Sequence, residues 1–130
     1  MDTLDGIWTL IRADAQDADG RALRPPYGRH PMGTIVFSRG RMLAALCDGD
    51  AETADDGPRA YSSYGGTYRF DGRTLAVEVD IASDPSRIGG TQTRDVTLDS
   101  DRMTLRPPLR PYGKAPEQRS LVWQRIGSAR

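Results

Sequence analysis

Cysteine and histidine are almost absent from this chain, which has one of each, Cys47 and His30. A single cysteine excludes an intrachain disulfide, and the two residues together cannot supply the nitrogen and sulfur ligands of a typical zinc site. Catalysis by a Ser-His-Asp or Cys-His arrangement would depend on His30, which lies in a proline-rich stretch near no nucleophile motif. We therefore expect no metal and no cofactor, and we interpret His30 as a residue of a surface loop or a pocket mouth.

Net charge and long apolar runs are missing too. Lys plus Arg and Asp plus Glu both number 18, so no overall field attracts nucleic acid or a membrane surface. No stretch approaches the ~18 apolar residues of a membrane span, and no apolar targeting segment stands at the start. No glycine-rich loop connects a strand to a helix, so a nucleotide site has no support. With the lone Cys47, these absences predict a cytosolic protein without nucleic-acid or membrane partners.

Apolar residues make up 37% of the chain, against roughly 45–50% in an average soluble domain. The length of 130 residues suits one domain, spanning 1–130, with a core that needs no disulfide support. A fold whose strands each bury only one face fits this low apolar content better than a layered α/β fold does.

Short segments of alternating apolar and polar residues run along the chain, separated by turn signals such as Asp71-Gly72. No amphipathic helix is evident. The alternation predicts eight strands, at residues 6–12, 34–37, 41–46, 61–70, 75–81, 91–98, 103–106 and 120–126. The proline-rich stretches 24–31 and 107–116 are predicted connections, and the acidic stretch 48–59 is predicted to be an exposed, mobile loop.

Eight short strands joined mostly by tight turns favour an all-β fold, a single antiparallel up-and-down β-barrel. A closed barrel removes the sheet edges that would otherwise invite aggregation. The interior of an eight-stranded barrel is just wide enough for side chains or for one small ligand. An open sandwich is the competing topology.

The two tryptophans lie near the two ends of the chain, Trp8 in the first strand and Trp123 in the last. If these strands pair and close the barrel, Arg125 can lie across the Trp8 ring. Such a cation–π contact stabilises by about 0.5–2 kcal/mol. The seam between the first and last strands is thus predicted to be structural, and Arg125 with it.

The Gly6-x-Trp8 start and the late Arg125 resemble the lipocalin signature. A fuller resemblance, to the bacterial and fungal lipocalin-like domain family, runs nearly from end to end. It is carried by the order and spacing of several short motifs: Gly6-Ile7-Trp8-Thr9-Leu10, Asp19-Gly20, Tyr27-Gly28, Gly33 and Phe37, Gly40-Arg41-Met42, Tyr64-Gly65-Gly66-Thr67-Tyr68, Asp71-Gly72, Pro85 and Gly89, Gln92 and Arg94, Met103-Thr104-Leu105, and Leu121-Val122-Trp123-Gln124-Arg125.

This resemblance implies a calycin-type β-barrel with a central pocket. The activities of the family are poorly defined: some relatives look like cofactor-free cyclases or isomerases of natural-product pathways, and many have no known role. The chain departs from the family where a His pair often follows the Asp71-Gly72 turn, because Val77 and Glu78 stand there instead. Chemistry that relies on those imidazoles is in doubt for this chain.

Tyr64, Tyr68 and Arg94 are the candidate catalytic residues. Tyr64 and Tyr68 share a strand face with Phe70, and a phenol can orient a carbonyl or donate a proton to an enolate. Ordinary wall packing is the alternative for each tyrosine. Arg94 shares a face with Val96, so it enters the pocket if that face points inward, where an unpaired charge is costly. Its alternative is a place near a barrel end, reaching solvent or a structural acid.

The function predicted from these residues is enclosure of one small, largely hydrophobic molecule in the central pocket. A cofactor-free cyclase or isomerase using the same pocket is the alternative, and a structural module with a filled core is the third hypothesis. The sequence is compatible with a homodimer and does not decide the oligomeric state. The predicted ligand-binding residues are four wall residues and three residues of a loop at the mouth: Phe37, Met42, Phe70 and Val77 in the wall, with Tyr27, His30 and Met32 in the loop.

Overall fold

The computed structural model describes residues 3–52, 57–112 and 115–128. They form eight strands, and every strand is antiparallel to the next. The strands are β1 Gly6–Asp17, β2 Pro31–Ser38, β3 Arg41–Asp48, β4 Tyr61–Phe70, β5 Thr74–Ala82, β6 Thr91–Asp99, β7 Arg102–Arg106 and β8 Glu117–Gly127. A short 3-10 turn, Pro85–Arg87, lies between β5 and β6.

The sheet closes into a barrel because β8 pairs with β1. This confirms the predicted up-and-down barrel and excludes the open sandwich. Trp8 lies opposite Arg125 across the seam, and the guanidinium carbon is 4.4 Å from the centre of the Trp8 ring. The predicted contact between the two ends of the chain is therefore confirmed.

The barrel has two unlike ends. At the closed end, three tight turns connect β2 to β3, β4 to β5 and β6 to β7, and β1 begins there beside the end of β8. At the open end lie the four longer connections, which join β1 to β2, β3 to β4, β5 to β6 and β7 to β8. Pairing of successive antiparallel strands requires this alternation of ends.

Side chains fill the closed half of the barrel. Trp8, Phe37, Leu75 and Val77 are completely buried, as is Met103. The indole N–H of Trp8 donates to the Leu4 carbonyl at 2.9 Å, which satisfies its one donor. The barrel is thus a packed core at this end.

The strand bounds differ from the predicted ones mainly at the open end. β4 has the predicted limits, whereas β1 continues to Asp17 because its second half pairs with the start of β8, as far as Glu117. The predicted mobile loop at 48–59 begins instead with Asp48, the buried last residue of β3. Part of that prediction falls on residues 53–56, outside the described residues.

Candidate functional site

A cavity of about 330 Å³ opens at the open end of the barrel. Its apolar part is made by inward-facing residues of the strands, where the alternation of each strand brings every second side chain into the interior. These residues are Ile35, Ala44, Leu46, Leu105, Leu121 and Trp123. Each of them is buried, so the apolar floor is continuous with the packed core of the closed half.

Four tyrosines, Tyr27, Tyr61, Tyr64 and Tyr112, line the cavity above this floor. Tyr61 and Tyr64 belong to β4, and the other two come from the connections before β2 and before β8. Burial raises the pKa of the Tyr27 phenol, and the nearby Arg119 guanidinium partly opposes that rise. Tyr27 therefore stays protonated at neutral pH and presents a neutral hydroxyl.

Two arginines meet over the Tyr64 ring. The guanidinium carbon of Arg87 lies 4.2 Å from the ring centre, and that of Arg94 lies 5.7 Å away. Both guanidinium groups donate to the side-chain oxygen of Gln92, at 3.1 Å and 3.2 Å. Arg94 projects inward from β6 and is only 6% exposed, so the inward orientation is the one adopted.

A second pair of arginines holds the Tyr112 ring. The guanidinium carbon of Arg119 is 3.5 Å from the ring centre, and that of Arg110 is 4.8 Å away. Arg119 is neutralised by the buried carboxylate of Glu117, with its terminal nitrogen 2.9 Å from Oε1. The four arginines come from β6, β8 and two connections, and all line the same cavity.

The cavity is electropositive. Burial, and after it the charges of Arg94 and Arg110, lower the pKa of the Arg87 guanidinium. Asp84 is the one acidic residue among the described lining residues. Its Oδ1 already accepts from the backbone N–H and the hydroxyl of Ser86, at 3.0 Å and 2.7 Å. Positive charge thus exceeds negative charge where a ligand would enter.

Among the residues predicted from the sequence, Tyr27, Tyr64 and Arg94 are brought together at this cavity. Glu78, which alternates with the inward-facing Val77 and Val79 on β5, is exposed and lies outside the barrel. Its carboxylate accepts from the Thr91 hydroxyl at 3.1 Å and lies 3.6 Å from a nitrogen of Arg69. It is not available as an interior base.

Tyr68 and Phe70 lie towards the closed end and are not among the residues that line the cavity. The Tyr68 hydroxyl donates to Asp5 Oδ1 at 2.8 Å, and its ring meets Phe37 edge to face, with 5.0 Å between ring centres. Burial, reinforced by the Asp5 carboxylate, strongly raises the pKa of the Tyr68 phenol. Although Tyr64 and Tyr68 share a face, the structure separates them along the barrel.

The other predicted ligand-binding residues are also elsewhere. Phe37, Met42 and Val77 are buried below the cavity, as parts of the packed core. Met32 is 52% exposed, on the outer wall. His30 lies in a separate groove at the open end, where its Nδ1 is 2.9 Å from Asp50 Oδ1.

Sequence reasoning missed Arg87, Arg110, Tyr112 and Arg119. Three of these lie in or beside the proline-rich and glycine-rich connections, where no periodicity indicates which side chains turn inward. Arg119 did have a signal, because it alternates with Leu121 and Trp123 on β8 and so shares their inward face.

In the described ranges, no group of three or more His, Cys, Asp or Glu side chains is placed to hold a metal ion. The described part of the chain also has no helix that is long and apolar enough to cross a bilayer. Cys47 is a free thiol, partly buried on β3.

A family model described as a lipocalin-like domain matches residues 5–126. No curated protein matches the chain. Among solved structures, the chain is similar to an uncharacterised protein from Bacteroides eggerthii, at 15% sequence identity and a TM-score of 0.48. That similarity covers 95% of this chain and 100% of the other.

Proposed function

The chain belongs to the lipocalin-like domain family, and from that premise we propose that it binds one small, largely hydrophobic molecule in the cavity at the open end. One observation carries the proposal. Buried side chains pack the closed half of the barrel, whereas the open half keeps a cavity of about 330 Å³ over an apolar floor. A module with a filled core would have no need of that space.

The size of the cavity supports a compact ligand. Ligand pockets usually measure about 300–1,000 Å³, and an apolar cavity of about 150 Å³ already accepts benzene. A molecule of two or three fused or linked rings is therefore the size class that we propose. The floor residues Ile35 and Leu121 offer it only apolar contacts, and the tyrosines that line the cavity add hydroxyl groups.

We also propose that the protein is cytosolic. The support for this is the lone Cys47, a free thiol that forms no disulfide. Localisation by microscopy of a tagged chain tests this part independently of the ligand.

A neutral fluorescent probe tests the binding proposal. N-phenyl-1-naphthylamine carries no charge at neutral pH, and its emission rises when it leaves water for an apolar site. We expect one equivalent to bind. Ala44→Phe should abolish this binding because Ala44 lines the cavity, whereas Ala45→Phe, which adds the same ring to the exposed side of β3, should leave it unchanged.

A second measurement covers the case in which Ala44→Phe does not fold. In a Trp8→Phe chain, Trp123 of the cavity floor is the only tryptophan, and a probe bound there should quench its emission. No probe binding by the folded wild-type chain, or equal loss in the two alanine variants, would contradict the proposal.

Cofactor-free cyclisation or isomerisation is the second candidate. It is favoured by the position of Tyr64, which lines the cavity and carries the Arg87 guanidinium over its ring. A phenol beside cations can donate a proton to a developing enolate, and orientation of a substrate can itself supply several kcal/mol.

Hydrogen–deuterium exchange at the α-carbon of 2-tetralone, a bicyclic ketone that enolises, tests this candidate by NMR. We expect the protein to accelerate exchange, with solvent water accepting the α-proton while the Tyr64 hydroxyl donates to the enolate oxygen, and Tyr64→Phe to remove the acceleration while probe binding persists. Exchange at the buffer rate, or full acceleration in Tyr64→Phe, would reject Tyr64 as the proton donor.

A further inference from the structure

Three of the four cavity arginines have no carboxylate partner among the residues that the structure describes. Only Arg119 has one, in Glu117. Arg94 donates to the Thr93 carbonyl at 2.8 Å and to Gln92, and Arg87 donates to the hydroxyl of Ser62 at 3.3 Å and to Gln92. These acceptors are neutral, so their bonds satisfy donors without neutralising charge. Arg87 and Arg110 are partly buried and Arg94 is buried, and buried charges in proteins are normally paired.

Several donors at the cavity also lack an acceptor. Within residues 3–52, 57–112 and 115–128, no hydrogen-bond acceptor meets the buried Nε of Arg87, the buried Nε of Arg110 or the indole N–H of Trp123. All three residues line the cavity, and Trp123 is only 1% exposed. Unsatisfied buried polar groups are rare in folded proteins and call for a missing partner, such as a ligand or an ordered water.

Contact with the aromatic rings holds these arginines in place. A guanidinium that lies on an aromatic face keeps its N–H donors in its own plane, free to form paired bonds with a carboxylate or a related anion. Arg87 is held in this way on Tyr64, and Arg110 on Tyr112. The aromatic rim therefore fixes the cations in place while leaving donors for an acidic group.

We infer that the ligand of this cavity is an organic acid, with its anionic group held by Arg87, Arg94 and Arg110 and its apolar body on the floor of the cavity. This inference rests on the proposed small-molecule function and adds the charge of the ligand. The apolar floor formed by Ile35, Leu46 and Leu121 separates an organic acid from an inorganic anion, which would leave that surface empty.

Two probes that share one skeleton test the inference. 8-Anilinonaphthalene-1-sulfonate is N-phenyl-1-naphthylamine with an added sulfonate, so the pair isolates the contribution of an anionic group. We expect the sulfonate to bind at least about tenfold more tightly than the neutral probe at low salt, since hydrogen bonds to charged groups are worth that much. Its affinity should fall as salt screens the charges, while that of the neutral probe should not.

Arginine variants locate the effect. Arg87→Met and Arg94→Met should each bring the affinity of the sulfonate close to that of the neutral probe, and Arg87→Lys should restore part of the difference. The matched control is Arg73→Met, which removes the same charge from an exposed residue at the closed end and should leave both affinities unchanged. Near-UV circular dichroism verifies that each variant keeps its packed core, since loosened cores also bind such dyes.

The outcomes separate the inference from the function on which it rests. If neither probe binds the folded protein, the proposed function fails. If both bind with equal affinity, the function stands and the organic-acid inference is overturned. Competition with sulfate tests whether the cavity binds an inorganic anion instead of an organic acid. Displacement of the sulfonate probe by equimolar sulfate would overturn the organic-acid inference, whereas displacement only at screening concentrations supports it.

Discussion

Each end of this barrel places an arginine on an aromatic ring, and the two arrangements differ in what becomes of the remaining donors. At the closed end, Arg125 lies 4.4 Å from the Trp8 ring and donates to the carbonyls of Asp5 and Thr3, at 2.6 Å and 3.1 Å. Its Nε lies 3.0 Å from a carboxylate oxygen of Asp101, as an ion pair without hydrogen-bond geometry. Groups of the protein itself therefore serve as the partners of the Arg125 guanidinium.

At the open end, Arg87 lies at a similar distance, 4.2 Å, from the Tyr64 ring. Its acceptors are neutral, its Nε has no acceptor in the described part of the chain, and burial beside other cations lowers its pKa. The same kind of contact is thus surrounded by protein acceptors at one end and leaves a guanidinium donor without an acceptor at the other. The difference lies in whether carbonyl and carboxylate oxygens surround the cation.

The largest expected effect comes from the closed end. Trp8→Ala should lower the free energy of unfolding by about 3–5 kcal/mol, because Trp8 is completely buried and its loss leaves a cavity. Urea denaturation of Trp8→Ala, Arg125→Met and the double variant should show that their effects are not additive, because the two side chains are in contact. Simple additivity would contradict an energetic role for their contact.

The comparison between the two ends is tested most directly by matched arginine variants. Arg125→Met should destabilise the protein by about 1–3 kcal/mol, through the loss of charged hydrogen bonds and of the contact with Trp8. Arg87→Met should change the stability by less than about 1 kcal/mol, because Arg87 is only partly buried and replacing a poorly compensated charge with an apolar group is often neutral. Equal losses in the same urea assay would mean that both guanidinium groups are structural.

Tyrosine ionisation gives a smaller effect with a clear sign. At the closed end, burial and the Asp5 carboxylate both raise the pKa of Tyr68. At the open end, burial raises the pKa of Tyr27, but the Arg119 guanidinium opposes the rise. Tyr27 should therefore ionise at lower pH than Tyr68 in an ultraviolet titration of the single Tyr→Phe variants.

The stability consequence follows from the direction of the Tyr68 shift. A phenol whose folded-state pKa exceeds the unfolded value of about 10 contributes stability that is fully present below pH 10. That contribution is lost as the pH rises through the folded-state pKa. Tyr68→Phe should therefore show a shallower alkaline loss of stability than the wild type. If the free energy of unfolding falls with pH equally steeply in Tyr68→Phe and in the wild type, ionisation of Tyr68 does not contribute to the alkaline loss of stability.

Much of the fold could be predicted because it depends on short-range patterns. The alternation along 61–70 gave β4 its observed limits, and the two tryptophan strands at the chain ends indicated the seam. β1 was predicted too short because Ala13 and Ala15, which are buried, give a weak apolar signal beside Asp14 and Gln16. Strand pairing with β8, rather than local composition, decides where β1 ends.

The site could be predicted only in part, because period-two alternation fixes the face of a residue and not its height in the barrel. Arg94 was correctly placed on the face that Val96 shares, and that face does point inward. Tyr64 and Tyr68 share a face as well, but four residues of strand span about 13 Å at the usual rise. That distance puts them in opposite halves, one at the cavity and one beside Asp5.

By itself, the sequence determined the number and order of the strands, since these follow from alternation and from tight turns between neighbours. The closure of the barrel was predicted from the two tryptophan strands and was decided against a sandwich by the pairing of β8 with β1. Only the tertiary structure decided where the charge collects. Arg87 and Arg110 belong to separate connections, and Arg94 and Arg119 to separate strands. They meet because antiparallel pairing returns every second connection to the same end of the barrel, and burial there removes the water that would otherwise keep them independent.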